Sequence, residues 1–183
     1  MPHMEQDEQL RRIAGLLRER NSIDEEIAGI IQRPMASGHL GEWVASRIFD
    51  IELAAVAVEP GFDGRFRSAP LQGKTVNIKW YLKREGLLDT SETATLDYYL
   101  VLTGPPSSAA SSHAGTRPWR IDAVYLFNAR RFRREQIARS VKSGTASSVT
   151  RQQWAAAEIY PAATNPILQV TARQAELLGH FRL

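Results

Sequence analysis

Phe62-Asp63-Gly64-Arg65-Phe66-Arg67-Ser68-Ala69-Pro70-Leu71-Gln72-Gly73-Lys74-Thr75-Val76-Asn77-Ile78-Lys79-Trp80-Tyr81 holds two short apolar segments separated by turn residues. Strand side chains alternate between faces, so Val76, Ile78, Trp80 and the following Leu82 share one face, and Asn77, Lys79, Tyr81 and Lys83 the other. The first face reads as core; the second carries either chemistry or solvent. Pro70 and Gly73 punctuate the stretch from Arg67 to Lys74 and let the chain reverse. Asp63 and Asn77-Ile78-Lys79 are therefore expected on neighbouring strands, with a carboxylate, an amide oxygen and an ammonium close together.

That grouping resembles the catalytic hairpin of the PD-(D/E)xK nuclease superfamily, the restriction-endonuclease-like fold. In that family an Asp on one strand and an acid-x-Lys on the next hold Mg²⁺ and activate water. Here the second element reads Asn77-Ile78-Lys79, so an amide stands at the acidic position. The resemblance implies Asp63 as the principal ligand of Mg²⁺ (or Mn²⁺), with the Ile78 backbone carbonyl and the Asn77 amide oxygen beside it. It implies Lys79 as the group that orients or deprotonates the attacking water. The family often adds a carboxylate from the helix before the hairpin, a place that Gly38-His39-Leu40-Gly41-Glu42 fills with Glu42, binding directly or through water. Asp63, Lys79 and Glu42 are thus the implied catalytic residues. Loss of one acidic ligand weakens the hold on the cation, and Glu59 or Glu85 is available to replace it. Two functions stand as alternatives: a Mg²⁺-dependent endonuclease hydrolysing phosphodiester bonds in DNA, or a catalytically inactive nuclease-fold module that binds nucleic acid or a protein partner.

Composition is compatible with either. The 183 residues suffice for a domain with a sizeable core, and the absence of cysteine excludes a disulfide framework and thiolate metal sites. No run of residues is long and apolar enough for a membrane span, and Met1 to Gln9 is acidic without a signal-peptide pattern. A cytoplasmic protein is the expectation. The net charge of +3 is modest but unevenly placed. Arg117, Arg120, Arg130, Arg131, Arg133, Arg134, Arg139 and Lys142 face only Asp122 and Glu135 in their segment, which suits a surface that meets a polyanion. Arg130, Arg131, Arg133, Arg134 and Arg139 are the candidate DNA contacts; a solvated basic helix face is the alternative.

The remaining chain supplies helices and strands in an order that predicts an α/β (α+β) domain with a mixed central sheet flanked by helices. Asp7 to Arg20 and Ile23 to Ile31 read as an N-terminal helical hairpin broken at Asn21-Ser22, with Ser22 and Glu25 as a capping box. This extension, residues 1–36, offers a surface for a second copy or another protein. Residues 37–183 are read as one domain. Within it, Gly38 to Phe49 is a helix, Ile51 to Val58 a buried strand, Thr95 to Thr103 a central strand, Trp119 to Asn128 another, and Ala129 to Val141 a basic helix. Residues 104–118 read as a flexible loop, Lys83 to Thr93 and Thr145 to Thr150 as further loops, Trp154 to Glu158 as a helical turn and Ile167 to Val170 as a short strand. Thr171 is placed to cap a terminal helix.

Overall fold

A single helix, α1 (Pro2–Ile31), forms the N-terminal element where a hairpin is expected. Asn21 and Ser22 cost a helix only a few tenths of a kcal/mol each, about the penalty of Asp or Thr, and neither Gly nor Pro lies between them to stop it. The helix ends where Gln32 turns left-handed (φ 56°), ahead of Pro34. The structure, a computed structural model, describes residues 2–54, 61–91, 95–106, 118–142, 144 and 146–182, with side chains from Gln6 onward. The chain divides into two compact units, residues 1–40 and 41–183.

In the larger unit α2 (Ser37–Phe49, entered from the smaller one) leads into β1 (Ile51–Leu53), which pairs antiparallel with β2 (Gly64–Phe66). β2 in turn pairs antiparallel with β3 (Thr75–Tyr81), so the expected hairpin is present. β3 runs parallel to β5 (Tyr98–Thr103), with Asn77 level with Tyr99 and Lys79 with Val101. A parallel neighbour needs a long crossover. Residues 82–97 provide it, and instead of a plain loop they carry β4 (Leu87–Leu88). β6 (Ala123–Asn128) pairs antiparallel with β5, and α3 (Ala129–Ala138) follows directly. β7 (Ser147–Ser148) closes a small second sheet with β4, and α4 (Arg151–Ala157) runs into β8 (Glu158–Tyr160) on the far edge of β6. The last helix is α5 (Ala172–Gly179). The main sheet has the order β1-β2-β3-β5-β6-β8 and is mixed, as the element order predicts.

Each sheet face has its own core. On the Ile78 face, Trp80 meets Trp119 and Phe181 edge-on at 5.7 and 6.3 Å, and Gln174 of α5 donates to the Ile48 carbonyl of α2 at 3.0 Å. On the Asn77 face, Tyr99, Val101, Tyr125 and Phe127 pack with Leu88, Phe132, Val149 and Trp154. Burying a large apolar side chain contributes about 1.5–3 kcal/mol, so both faces stabilise the sheet strongly. β5 is buried along its whole length, which makes it the central strand.

The termini of the helices follow the sequence chemistry. Asn128 caps α3 through the Arg131 N–H at 2.9 Å, and Thr150 with Gln153 and Thr171 with Gln174 form capping boxes on α4 and α5. One sequence expectation fails nearby. Ile167 to Val170 is irregular, and the Asn165 amide donates to the Leu126 carbonyl at 2.8 Å. The strand on that edge is β8, directly after α4, which bears out the helical turn expected at Trp154 to Glu158. Most of the expected strand beyond Leu53 and the loop at 107–117 lie outside the described residues. Among the described residues no helix is long and apolar enough to cross a membrane.

Candidate functional site

Gly64 fixes where Asp63 stands. A Cβ on Gly64 would lie 2.4 Å from the Glu52 carbonyl oxygen and 2.9 Å from Ile51 Cγ2, so β1 and β2 approach this closely only because the residue has no side chain. Asp63 then extends the ladder by one step: its N–H donates to the Val76 carbonyl at 2.8 Å and its carbonyl accepts from the Ala54 N–H at 2.9 Å. At the next step the side chain takes over, and Asp63 Oδ2 accepts from the Ile78 N–H at 2.6 Å. Backbone groups of a strand alternate between its two neighbours. Val76 turns its carbonyl to Asp63 and Tyr81 turns its carbonyl to the Gly104 N–H, so Ile78 directs its carbonyl to the Asp63 edge. The carboxylate and the Ile78 carbonyl therefore share a short piece of strand edge that the β2 backbone does not cover.

Asn77 and Lys79 leave β3 on the face shared with Tyr99 and Val101. Asn77 is buried, at 8% exposure, and its Oδ1 has no hydrogen-bond partner among the described residues. An unpaired buried amide oxygen costs about 1–3 kcal/mol, so it calls for a reason. Lys79 is half-buried. Next along this face, Tyr81 donates its hydroxyl to Asp89 Oδ2 at 3.2 Å and accepts from the Asp89 N–H at 2.9 Å. Burial pushes the Tyr81 phenol well above its ordinary value, so it stays a neutral hydrogen-bonding group. The start of β3 is held separately: Asp97 Oδ2 accepts from the Thr75 N–H at 3.0 Å, and Thr75 Oγ1 accepts from the Asp97 N–H at 2.8 Å. Periodicity does not reveal the Asp89 and Asp97 contacts, since both partners come from irregular chain.

Glu42 belongs to α2, which packs on the other face of the sheet. A Cβ on its neighbour Gly41 would lie 3.0 Å from Trp80 Cβ, which places α2 tight against the Ile78–Trp80 face of β3. Asp63 and Ile78 are thus brought together, Asn77 adjoins Ile78 in β3 with its side chain on the Tyr99 face, and Glu42 is half-buried on α2. Among the described residues no group of three or more His, Asp or Glu side chains is placed to hold a metal ion. Glu85 is half-buried in the crossover, and Glu59 lies outside the described residues. His39 accounts for one ring nitrogen by pairing Nδ1 with the Pro34 carbonyl at 2.9 Å, a structural contact.

No protein-family model matches the chain, and no curated protein matches its sequence. Function has to be argued from the geometry itself.

The basic residues lie on α3, which packs on the Asn77 face of the sheet through Phe132, 5.4 Å from Phe127. Arg130, Arg131, Arg133, Arg134 and Arg139 are all exposed. Arg131 and Arg139 also have internal work. Arg131 pairs with Glu135 at 2.7 Å, and Arg139 donates to Gln136 and Gln153, each at 2.9 Å. Burial opposes the charge on Glu135, but hydrogen bonds from Gln153 and Arg131 outweigh it and hold the carboxyl below its ordinary value. A cleft of about 550 Å³ opens here between α3 and α4, floored by Phe127, Phe132 and Ala157. It contains none of the hairpin residues, and its one acid is Glu135, already bonded to Arg131 and Gln153.

Proposed function

We propose that this protein is a Mg²⁺- or Mn²⁺-dependent nuclease that hydrolyses phosphodiester bonds in DNA. The observation that carries the reading is the Asp63 carboxylate docked on the β3 edge at Ile78, next in sequence to Asn77, whose buried oxygen has no partner among the described residues, and one residue from Lys79. Asp63, Asn77 and the Ile78 carbonyl are hard oxygen donors of the kind such cations prefer, and Glu42 would complete the set directly or through water. When bound, the cation supplies charge neutralisation and a more acidic water.

The chain's own groups do the rest. Lys79, projecting beside Asn77, orients or deprotonates the attacking water and offsets charge that develops on the phosphate. Burial of the Asn77 amide keeps bulk water from competing for its oxygen. The Arg130 to Arg139 face of α3 holds the DNA backbone by phosphate contacts, which give affinity without sequence preference. We place the protein in the cytoplasm. A mixed sheet covered by helices on both faces supports the resemblance to the restriction-endonuclease-like fold.

The test is cleavage of plasmid DNA by the purified chain with Mg²⁺ or Mn²⁺. Nicking is expected for the parent and lost in Asp63→Ala and in Lys79→Ala. If both variants cut as well as the parent, the reading is wrong. A second reading, an inactive module that binds DNA or a protein, is favoured by one specific feature, the amide at position 77. Activity that appears only in Asn77→Glu would select it.

A further inference from the structure

In the cleft between α3 and α4 the side-chain oxygens of Glu135 and Gln153 are occupied, while most of the arginine donors are free. Glu135 accepts from Arg131 Nε on one carboxylate oxygen at 2.7 Å and from Gln153 Nε2 on the other at 2.9 Å. The Gln153 oxygen accepts from Arg139 Nη1 at 2.9 Å and from the Thr150 N–H at 3.0 Å, and the Gln136 oxygen accepts from the same Arg139 nitrogen at 2.9 Å. Arg131 thus donates only through Nε and Arg139 only through Nη1. Both Nη groups of Arg131, and the Nε and Nη2 of Arg139, have no acceptor among the described residues. The same network holds both long side chains in place, so the entropy of ordering them is lost before any ligand arrives.

The two guanidinium groups are separated by an apolar hollow. The cleft follows α3 from Asn128 to Arg139, which puts Arg131 near one end and Arg139 at the other, about 12 Å apart by helix rise. Between them lie Phe127, Phe132 and Ala157 as the floor. On the rim stands Ile167, which is 37% exposed and one of three large apolar side chains exposed in the larger unit among its described residues. The volume of about 550 Å³ is that of a small-ligand site. A lone phosphate or carboxylate would use one guanidinium and leave the floor empty. A duplex keeps its bases stacked inside and presents only its convex backbone, so nothing of it would enter the hollow. A single strand carries acceptor-rich phosphates on either side of a flat ring, which matches the order donor, apolar floor, donor. We infer that the cleft receives one nucleotide of single-stranded DNA, with its base on the floor and the flanking phosphates on Arg131 and Arg139. This use of the cleft rests on α3 binding DNA, as proposed above, and is independent of the cation at β3.

The test is fluorescence anisotropy of the full chain in EDTA, where cation-dependent cleavage cannot interfere. Labelled probes of equal length are compared: a thymidine strand, the same strand with every base removed, and a blunt duplex. The thymidine strand should bind about tenfold or more tighter than either of the others, the contribution of one well-seated base. Ala156→Trp, at an exposed position on the cleft wall, should fill the hollow and abolish that preference with the thermal midpoint and duplex binding unchanged. The abasic comparison needs no variant, so it stands whatever that substitution does to folding. Equal affinity for the abasic strand, tighter binding of the duplex, binding of no probe, or a preference that survives in folded Ala156→Trp protein would overturn the inference. A parent that nicks plasmid but binds the abasic strand equally well keeps the nuclease and loses this use of the cleft. One that holds no cation but prefers the thymidine strand does the reverse.

Discussion

At the scale of single residues, the proposed site on β3 trades stability for chemistry. The Asn77 oxygen is buried without a partner among the described residues, so the folded state carries the cost of its dehydration. Asn77→Leu, with the same branching, should raise unfolding free energy by about 1–2 kcal/mol in urea titration while removing cation binding. Asn77→Asp should do the opposite: lower stability in the absence of metal and tighten Mn²⁺ binding by about tenfold, because ligand charge strengthens such sites. If Asn77→Leu destabilises the protein, the oxygen is satisfied and the site is misread. Gly64→Ala tests the frame that holds Asp63. With its Cβ aimed at the Glu52 carbonyl, the variant should lose about 2–3 kcal/mol, and an unchanged urea midpoint would contradict the close approach described above.

At the scale of elements, α3 and α4 are joined by a polar network rather than by packing alone. Gln153 Nε2 donates to Glu135 at 2.9 Å, and Gln136 Nε2 donates to the Ser148 carbonyl at 2.8 Å. Because the folded Glu135 carboxyl sits below its ordinary 4.5, the unfolded chain takes up its proton first as pH falls. The stabilisation is complete above 4.5 and disappears as pH drops through the folded value. Thermal midpoints measured downward from neutral pH should fall in that window more steeply for the parent than for Glu135→Gln. Parallel curves would show that this network does not couple to protonation.

Legibility also divides by element. β3, β5, α2 and α5 could be read because each has enough residues to display a period, or a cap such as Thr171 with Gln174. β4, β7 and β8 are two or three residues long, and so short a run has no period to detect. β8 was further hidden by Ala155-Ala156-Ala157, a strong helix former immediately before it. The break expected in α1 is absent because Asn21 and Ser22 disfavour helix only weakly, while the residues on either side favour it. In the candidate site, the face shared by Asn77 and Lys79 follows from alternation alone. The bond from Ile78 N–H to Asp63 does not, since it depends on where β2 stops.

At the scale of the whole molecule, the proposed nuclease function requires that a polyanion reach the β3 edge and be held there by α3. The exposed arginines predict DNA binding that weakens steeply with salt. Each phosphate contact contributes about 0.9 to the slope of log affinity against log salt, so Arg130→Ala with Arg134→Ala should flatten it by about 1.8. A slope that stays the same would move the DNA to another surface.

The decisive experiment is calorimetric titration of the metal-free protein with Mn²⁺, run in parallel on Asp63→Asn. One ion per chain should bind the parent, with the saturable heat lost in the variant. Equal heats from the two proteins, or none from the parent, would mean that the carboxylate on the β3 edge does not hold a cation.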